Sequence, residues 1–304
     1  MFKNASVFRI ALPNHFDAAS LANEAEKAAF LPCGPTQERS IGWVPPRDQA
    51  HGALVESVGG HWMMKLMIES RSVPGKALNE AVDERCAKIL EQTGRSPGKK
   101  EKRDIKEDAK LALLPQAFPK KTAVLVWIDR MAGFLVLDSA TASKADEVVT
   151  RLVQLGEGIV VTAISTTQSP GTVMTGWLAD GDQVESGERF GFDVATSCEL
   201  MAKDESKARV RYSNHNLMCS DVIGHILSGK TATKLGLTYE DRVAFCLSEA
   251  GTLSGLKFLD VVFADSAKTH EDEFDANVTI LTGEMSKLIP NLIDSLGGEM
   301  AVVE

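Results

Sequence analysis

The chain runs to 304 residues, longer than a usual single lobe, and its 44% hydrophobic and 25% charged content excludes general disorder and predicts two or three compact lobes. It holds no run of eighteen apolar residues, the longest candidate being Ala123 to Ile128, which excludes a membrane-spanning helix. The net charge of -9 is unevenly held: between Arg95 and Lys121 nine Lys/Arg stand against four Asp/Glu, so this segment is +5 and the remainder sums to -14.

In chain order, Ser6 to Leu12 reads as a strand and Asp17 to Phe30 as a helix capped by Asp17. Pro32, Gly34 and Pro35, then Gly42-Trp43-Val44-Pro45-Pro46, predict an irregular connection anchored by tryptophan. Ala53 to Val58 and Trp62 to Ser70 flank Gly59-Gly60, the signature of a hairpin. A helix is expected from Pro74 to about Gln92, with Ala77, Leu78, Ala81, Val82, Cys86, Ile89 and Leu90 on one face and Thr93-Gly94 closing it.

After the breaker Ser96-Pro97-Gly98, helical periodicity resumes through Ile105, Ala109, Ala112 and Leu113, so two long helices form an arm. This is where the positive charge concentrates: Lys99, Lys100, Lys102, Arg103, Lys106 and Lys110 either solvate an outer helix face or attract a polyanion. Next to them Leu111 to Pro119 places an apolar patch around two prolines, followed by Lys120 and Lys121.

Thr122 to Asp129 and Phe134 to Asp138 read as paired strands, Lys144 to Leu155 as a helix, Ile159 to Ile164 as a strand and Gly171 to Ala179 as a helix. Strands at Ser197 to Ala202 and Ala208 to Tyr212, a helix at Ser220 to Leu227 and a meander of Thr231 to Leu237, Arg242 to Ser248 and Leu253 to Leu259 follow. Phe274, Val278, Leu281, Met285, Leu288, Leu292 and Leu296 then draw one apolar stripe along a last helix. Pro290 should bend it, Gly297-Gly298 should end it, and Glu271, Asp272, Glu273 and Asp275 suit its positive end. The alternation predicts an α+β fold of mixed antiparallel sheets and helices in several lobes, with long helices in the middle and at the C-terminus. The expected parts are 1-73, 74-121 (the helical arm), 122-180 and 181-304.

The five cysteines, Cys33, Cys86, Cys198, Cys219 and Cys246, include no Cys-x-x-Cys pair, which predicts reduced thiols in a cytosolic setting. Polar and basic residues interrupt Met1 to Leu12, so no secretory block is expected. His215, Cys219 and His225 come closest to a ligand cluster, but with no second cysteine nearby neither a metal nor any other cofactor is expected.

Gly224 to Thr231 matches the Gly-x-x-x-x-Gly-Lys-[Ser/Thr] phosphate loop, with Val261 to Asp265 as a nominal partner strand, so an ATPase is one alternative. The expected helix before Gly229 and strand after Lys230 invert the order that such a loop needs, and Gly229 reads better as a helix stop. No Gly-x-Ser-x-Gly elbow or zinc helix is present, and no catalytic residue is assigned. Lys230 and Lys234, four apart in a strand, should share a face and, with Arg209 and Arg211, form a second basic surface.

Phe2-Lys3-Asn4, Val7-Phe8-Arg9, Pro32-Cys33-Gly34, Gly42 to Pro46, Leu113 to Phe118, Trp127-Ile128-Asp129 and, above all, Phe274-Asp275-Ala276, Leu281 to Glu284 and Leu288 to Glu299 resemble, in order and across the whole chain, the bacterial recombination-associated RdgC family. The resemblance implies a ring-shaped homodimer that encircles double-stranded DNA without reading its sequence, works at the nucleoid and restrains RecA-driven recombination. It implies dimer closure through Phe118, beside Leu114 and Pro115, and DNA-facing charge at Arg95 and at Lys230 and Lys234. Lys99, Lys102, Lys120, Lys121 and Arg211 complete the expected phosphate contacts. Gln116 stands where relatives can carry arginine, and Ser213-Asn214-His215 where they can carry lysines, so the second basic surface should be thinner here. A regulator that acts on RecA through protein contacts alone is the other alternative.

Overall fold

A computed structural model describes residues 1–14, 16–180, 189–266 and 273–300, the side chains of 264–266 excepted. Twelve strands and eight helices are present among them: β1 (Asn4–Ala11), α1 (Ala18–Lys27), β2 (Arg39–Val44), β3 (Glu56–Val58), β4 (His61–Arg71), α2 (Gly75–Thr93), α3 (Lys99–Leu113), β5 (Pro119–Asp129), β6 (Phe134–Leu137) and α4 (Ala142–Val153). The second half supplies β7 (Val160–Ala163), α5 (Pro170–Asp180), β8 (Phe192–Ala202), β9 (Arg209–Tyr212), α6 (Ser220–Leu227), β10 (Lys230–Tyr239), β11 (Val243–Ser248), β12 (Leu253–Phe258), α7 (Asp260–Ser266) and α8 (Glu273–Ser295). The fold is α+β, as the alternation of patterns predicts.

All twelve strands join one antiparallel sheet in the order β2-β4-β5-β6-β1-β12-β11-β10-β8-β9, with β3 added to β4 and β7 to β1. Strand β1 joins two halves. Its Asn4 and Ala5 pair with Ser254 and Leu253 of β12, while Ser6 to Arg9 pair with β6.

Because side chains alternate along a strand, each half has two faces. In the β2–β6 half, Met64, Leu66, Val126, Ile128, Leu135 and Leu137 point to one face and pack under α1 and α4. Their alternates Met63, Trp127 and Val136 point to the other face. There they join Leu200, Leu235 and Leu247 of the second half in a larger core closed by α5, α6 and α8. Burying each such side chain contributes about 1.5–3 kcal/mol before chain entropy is counted.

Local signals explain most boundaries. Asp17 accepts from Ser20 N–H at 2.7 Å while Ser20 Oγ accepts from Asp17 N–H, a reciprocal cap for α1. Gly59 and Gly60 take φ of 59° and 89° in the expected hairpin, and Gly94 stops α2 at φ 68°. Helix α8 buries Val278, Leu281, Met285, Leu288 and Leu292 and continues through Pro290 to Ser295. Glu271 and Asp272, expected at its start, lie outside the described residues, whereas Glu273 and Asp275 occupy its first turn.

Two expectations are corrected. The Gly42 to Pro46 region is not irregular: Arg39–Val44 is strand β2, paired with β4 from Arg39↔Ser70 to Val44↔Lys65. Gly42 marks a close backbone crossing there, since a Cβ would meet Phe30 Cα at 2.4 Å and Ala29 C at 2.7 Å. The Val261 to Asp265 segment belongs to helix α7, not to a strand, so the nominal partner strand of a phosphate loop is absent at that place.

Candidate nucleic-acid interface

Strands β8 to β12 expose the face opposite their core, and basic residues collect on it. On the edge strand β9, Arg209 and Arg211 pair with Met201 and Glu199, which turns both arginines away from the core, while Val210 and Tyr212 alternate inward. Lys234 on β10 also sits opposite Glu199, from the other side of β8. Lys257 on β12 lies opposite Ala244 and shares this face after a bulge at Gly255, whose φ is 64°. From β9 to β12 the four strand spacings span roughly 19 Å, enough to meet phosphates on both sides of a major groove about 12 Å wide.

Glu199 organises this surface. Its carboxylate is buried, accepts from Arg211 at 2.5 Å and 3.2 Å and lies 3.6 Å from Arg209 Nη1. Thr233 Oγ1 donates to the Glu199 carbonyl at 3.2 Å and to its carboxylate at 3.3 Å. The Arg211 hydrogen bond holds the Glu199 carboxyl below the usual glutamate range, against burial, which acts to raise it. Both guanidiniums remain exposed, so one buried charge fixes two outward cations. Sequence reading missed Glu199. Its signal was a lone carboxylate inside the otherwise apolar run Cys198-Glu199-Leu200-Met201.

Lys230 does not join them. Between Ala232↔Leu200 and Lys234↔Glu199 the register slips by one residue, so Lys230 lies on the core side of the sheet and Lys234 on the opposite face. Lys230 Nζ stands 3.2 Å from Ser228 Oγ and 3.3 Å from His225 Nδ1 on the α6 side. Helix α6 precedes Gly229, and the strand β10 follows it. The motif therefore opens no helix: Gly224 to Leu227 end α6, the N–H groups of Ser228 and Gly229 bond back to Gly224 O and Ile226 O, and Lys230 and Thr231 start a strand. Gly229, at φ 90°, follows the α6 cap, as its reading as a helix stop requires.

The arm is a helical hairpin inserted between β4 and β5, whose ends pair at Arg71↔Pro119. Arg95 lies at its turn with Nη1 3.0 Å from Glu101, and Lys99 and Lys102 are exposed on the first turns of α3 without an ion pair among the described residues. Lys120 and Lys121 lie at the base, beyond the 15 residues of α3, roughly 22 Å from the turn. The stretch that is one basic block in sequence is thus two groups in space. Lys121 lies 3.6 Å from the buried carboxylate of Glu69 and 5.6 Å from the Phe30 ring, which gives it work inside the fold, while Lys120 is exposed. Lys110 pairs with Glu38 at 2.6 Å, fastening the base of the arm to the body.

Above that base, Phe118 is 94% exposed and Pro115 is exposed beside it. Leu114, expected at the same contact, is fully buried under the 3-10 turn Leu114–Gln116, where it packs within its own chain and offers no surface. The apolar face expected for α2 is buried only at Leu78, and Leu90 remains 47% exposed. Among the described residues no group of three or more His, Cys, Asp or Glu is placed to hold a metal ion, and no helix is long and apolar enough to cross a membrane.

The family model described as "Putative exonuclease, RdgC" matches residues 1–299 of this chain. Proteins called recombination-associated protein RdgC are similar over 98% of each chain: 37% identical in Dechloromonas aromatica (strain RCB), 37% in Janthinobacterium sp. (strain Marseille) and 38% in Cupriavidus necator.

Proposed function

The chain belongs to the RdgC family of recombination-associated proteins, and on that premise we propose that it binds double-stranded DNA through backbone phosphates, without sequence preference and without a chemical step. In this reading two copies close into a ring around the duplex at the nucleoid and restrain RecA-dependent recombination.

The observation that carries the proposal is the core-free face of β8–β12, where Arg209, Arg211 and Lys234 are held in register around Glu199 and Lys257 extends the row. Guanidinium and ammonium groups at strand spacing suit a phosphate ladder, which positions a duplex and carries no sequence information. Arg95, Lys99 and Lys102 at the turn of the arm are the second contact group of the proposal, and Lys120 at the base of the arm is a separate one. Phe118 and Pro115 are its contact between copies, because an aromatic ring left almost wholly in solvent gains from burial against a partner. Lys230 is assigned to no contact group.

The test measures affinity for several unrelated duplexes, follows the integrity of labelled DNA ends in the same samples, and records RecA strand exchange with and without the protein. The proposal expects equal affinities, intact ends and slowed exchange. A strong preference for one sequence, end degradation with a divalent cation, or unaffected exchange would contradict its respective parts.

A further inference from the structure

The sheet forks beside β1. On the edge away from β6, β12 pairs with Asn4 and Ala5 and β7 with Phe8 to Ala11, so Ser6 and Val7 face a gap between the two strands. Over that gap lies a cavity of about 420 Å³, within the size range of small-molecule sites. Val7 and Leu253 form its base, and Ile289, Leu292, Ile293 and Leu296 of α8 form a wall. Two hydrogen bonds from the 165–168 segment to the end of α8 fix the cavity's shape: Gln168 N–H to Leu296 O at 2.9 Å and Thr167 N–H to Gly298 O at 3.0 Å.

The lining carries a single ionisable side chain. It is that of Glu249, with no ion pair among the described residues, and Ser165, Thr166 and Ser169 add hydroxyl residues. The start of α5 also reaches the rim, but Ser169 caps it, accepting from Thr172 and Val173 N–H at 3.0 Å and 3.2 Å through its carbonyl and from Thr172 through Oγ at 3.2 Å. That occupies the N–H groups of Thr172 and Val173, and Pro170 has no N–H to offer an anion. An apolar interior lined also by an exposed glutamate and by hydroxyl residues suits a ligand with an apolar body and a protonated amine.

We infer that this fork is a binding site for a small organic ammonium compound, its apolar part against α8 and Val7 and its ammonium on Glu249. The site stands apart from the basic face and does not rest on the DNA-binding reading.

The probe is 1-naphthylmethylammonium, compared with neutral 1-naphthylmethanol and anionic 1-naphthoate, each titrated into the full chain with methyl NMR signals of Ile289, Leu292 and Ile293 as readout. The expected result is saturable shifts at these methyls, with the alcohol at least threefold weaker than the ammonium and the carboxylate weakest. Glu249→Gln, an exposed change that leaves the apolar wall intact, should lower the ammonium to the level of the alcohol and leave the alcohol unchanged. Absence of saturable shifts, shifts centred elsewhere, equal affinity for the three probes, or an ammonium preference that survives Glu249→Gln would each overturn the inference.

Discussion

Lys230 and Lys234 stand four residues apart on β10 yet lie on opposite faces of the sheet, because the ladder slips at Thr233 between Ala232↔Leu200 and Lys234↔Glu199. The slip divides what an even strand would have made a single basic row. Only Lys234 shares the face of Arg209, Arg211 and Lys257.

The two lysines should therefore behave differently. Lys234→Ala is expected to weaken duplex binding and to make the slope of log affinity against log salt shallower by about 0.9, the value of one phosphate contact. Lys230→Ala should leave that slope unchanged. Titrations at four or more salt concentrations check this, and equal effects of the two changes would place both lysines on DNA.

Glu199 should contribute to stability in a pH-dependent way. Its carboxyl is held below the ordinary glutamate value of about 4.3, so its contribution is complete above that value and is lost as pH falls through the folded-state value. Its arginine partners are exposed and screened, so Glu199→Gln should cost about 1 kcal/mol at neutral pH. Denaturant unfolding of both proteins from pH 7 down to pH 3 should show the gap closing in acid. A gap constant with pH would mean that packing, and not charge, is what the substitution removes.

Phe118→Ser should leave the fold almost untouched, within about 0.5 kcal/mol, because the ring is 94% exposed in the single chain. Self-association should weaken by tenfold or more, the effect of losing an aromatic anchor. Sedimentation at several concentrations separates these outcomes, and an unchanged dimer would remove Phe118 from the contact.

Much of the architecture was legible because its signals are local. Asp17, Gly59-Gly60, Gly94 and the four-and-three spacing from Phe274 to Leu296 each act within a few residues, and each lies where its pattern indicates. What escaped depends on distant partners. Strand β2 was hidden because Gly42 and the flanking prolines imitate a loop, while the glycine in fact serves the backbone of Phe30 crossing over it. The bulge at Thr233 and the gathering of Arg209 and Arg211 on Glu199 need the register of β8, β9 and β10, which no single strand encodes. The arm's charges looked like one cluster because sequence proximity conceals the length of a helix.

Gly42→Ala tests that crossing. A Cβ 2.4 Å from Phe30 Cα meets backbone and not a flexible side-chain end, so the strand or the 28–30 segment must move. A loss of about 2 kcal/mol or more in denaturant unfolding is expected, and a change under 0.5 kcal/mol would show that the crossing is looser than described.

If the β8–β12 face holds duplex phosphates, the salt dependence of duplex affinity must differ between the wild-type chain and Arg209→Gln/Arg211→Gln/Lys234→Gln. Three lost contacts should make the log-log slope shallower by roughly 2.7. A triple variant that stays folded and keeps the wild-type slope would mean that the duplex lies elsewhere than on this face.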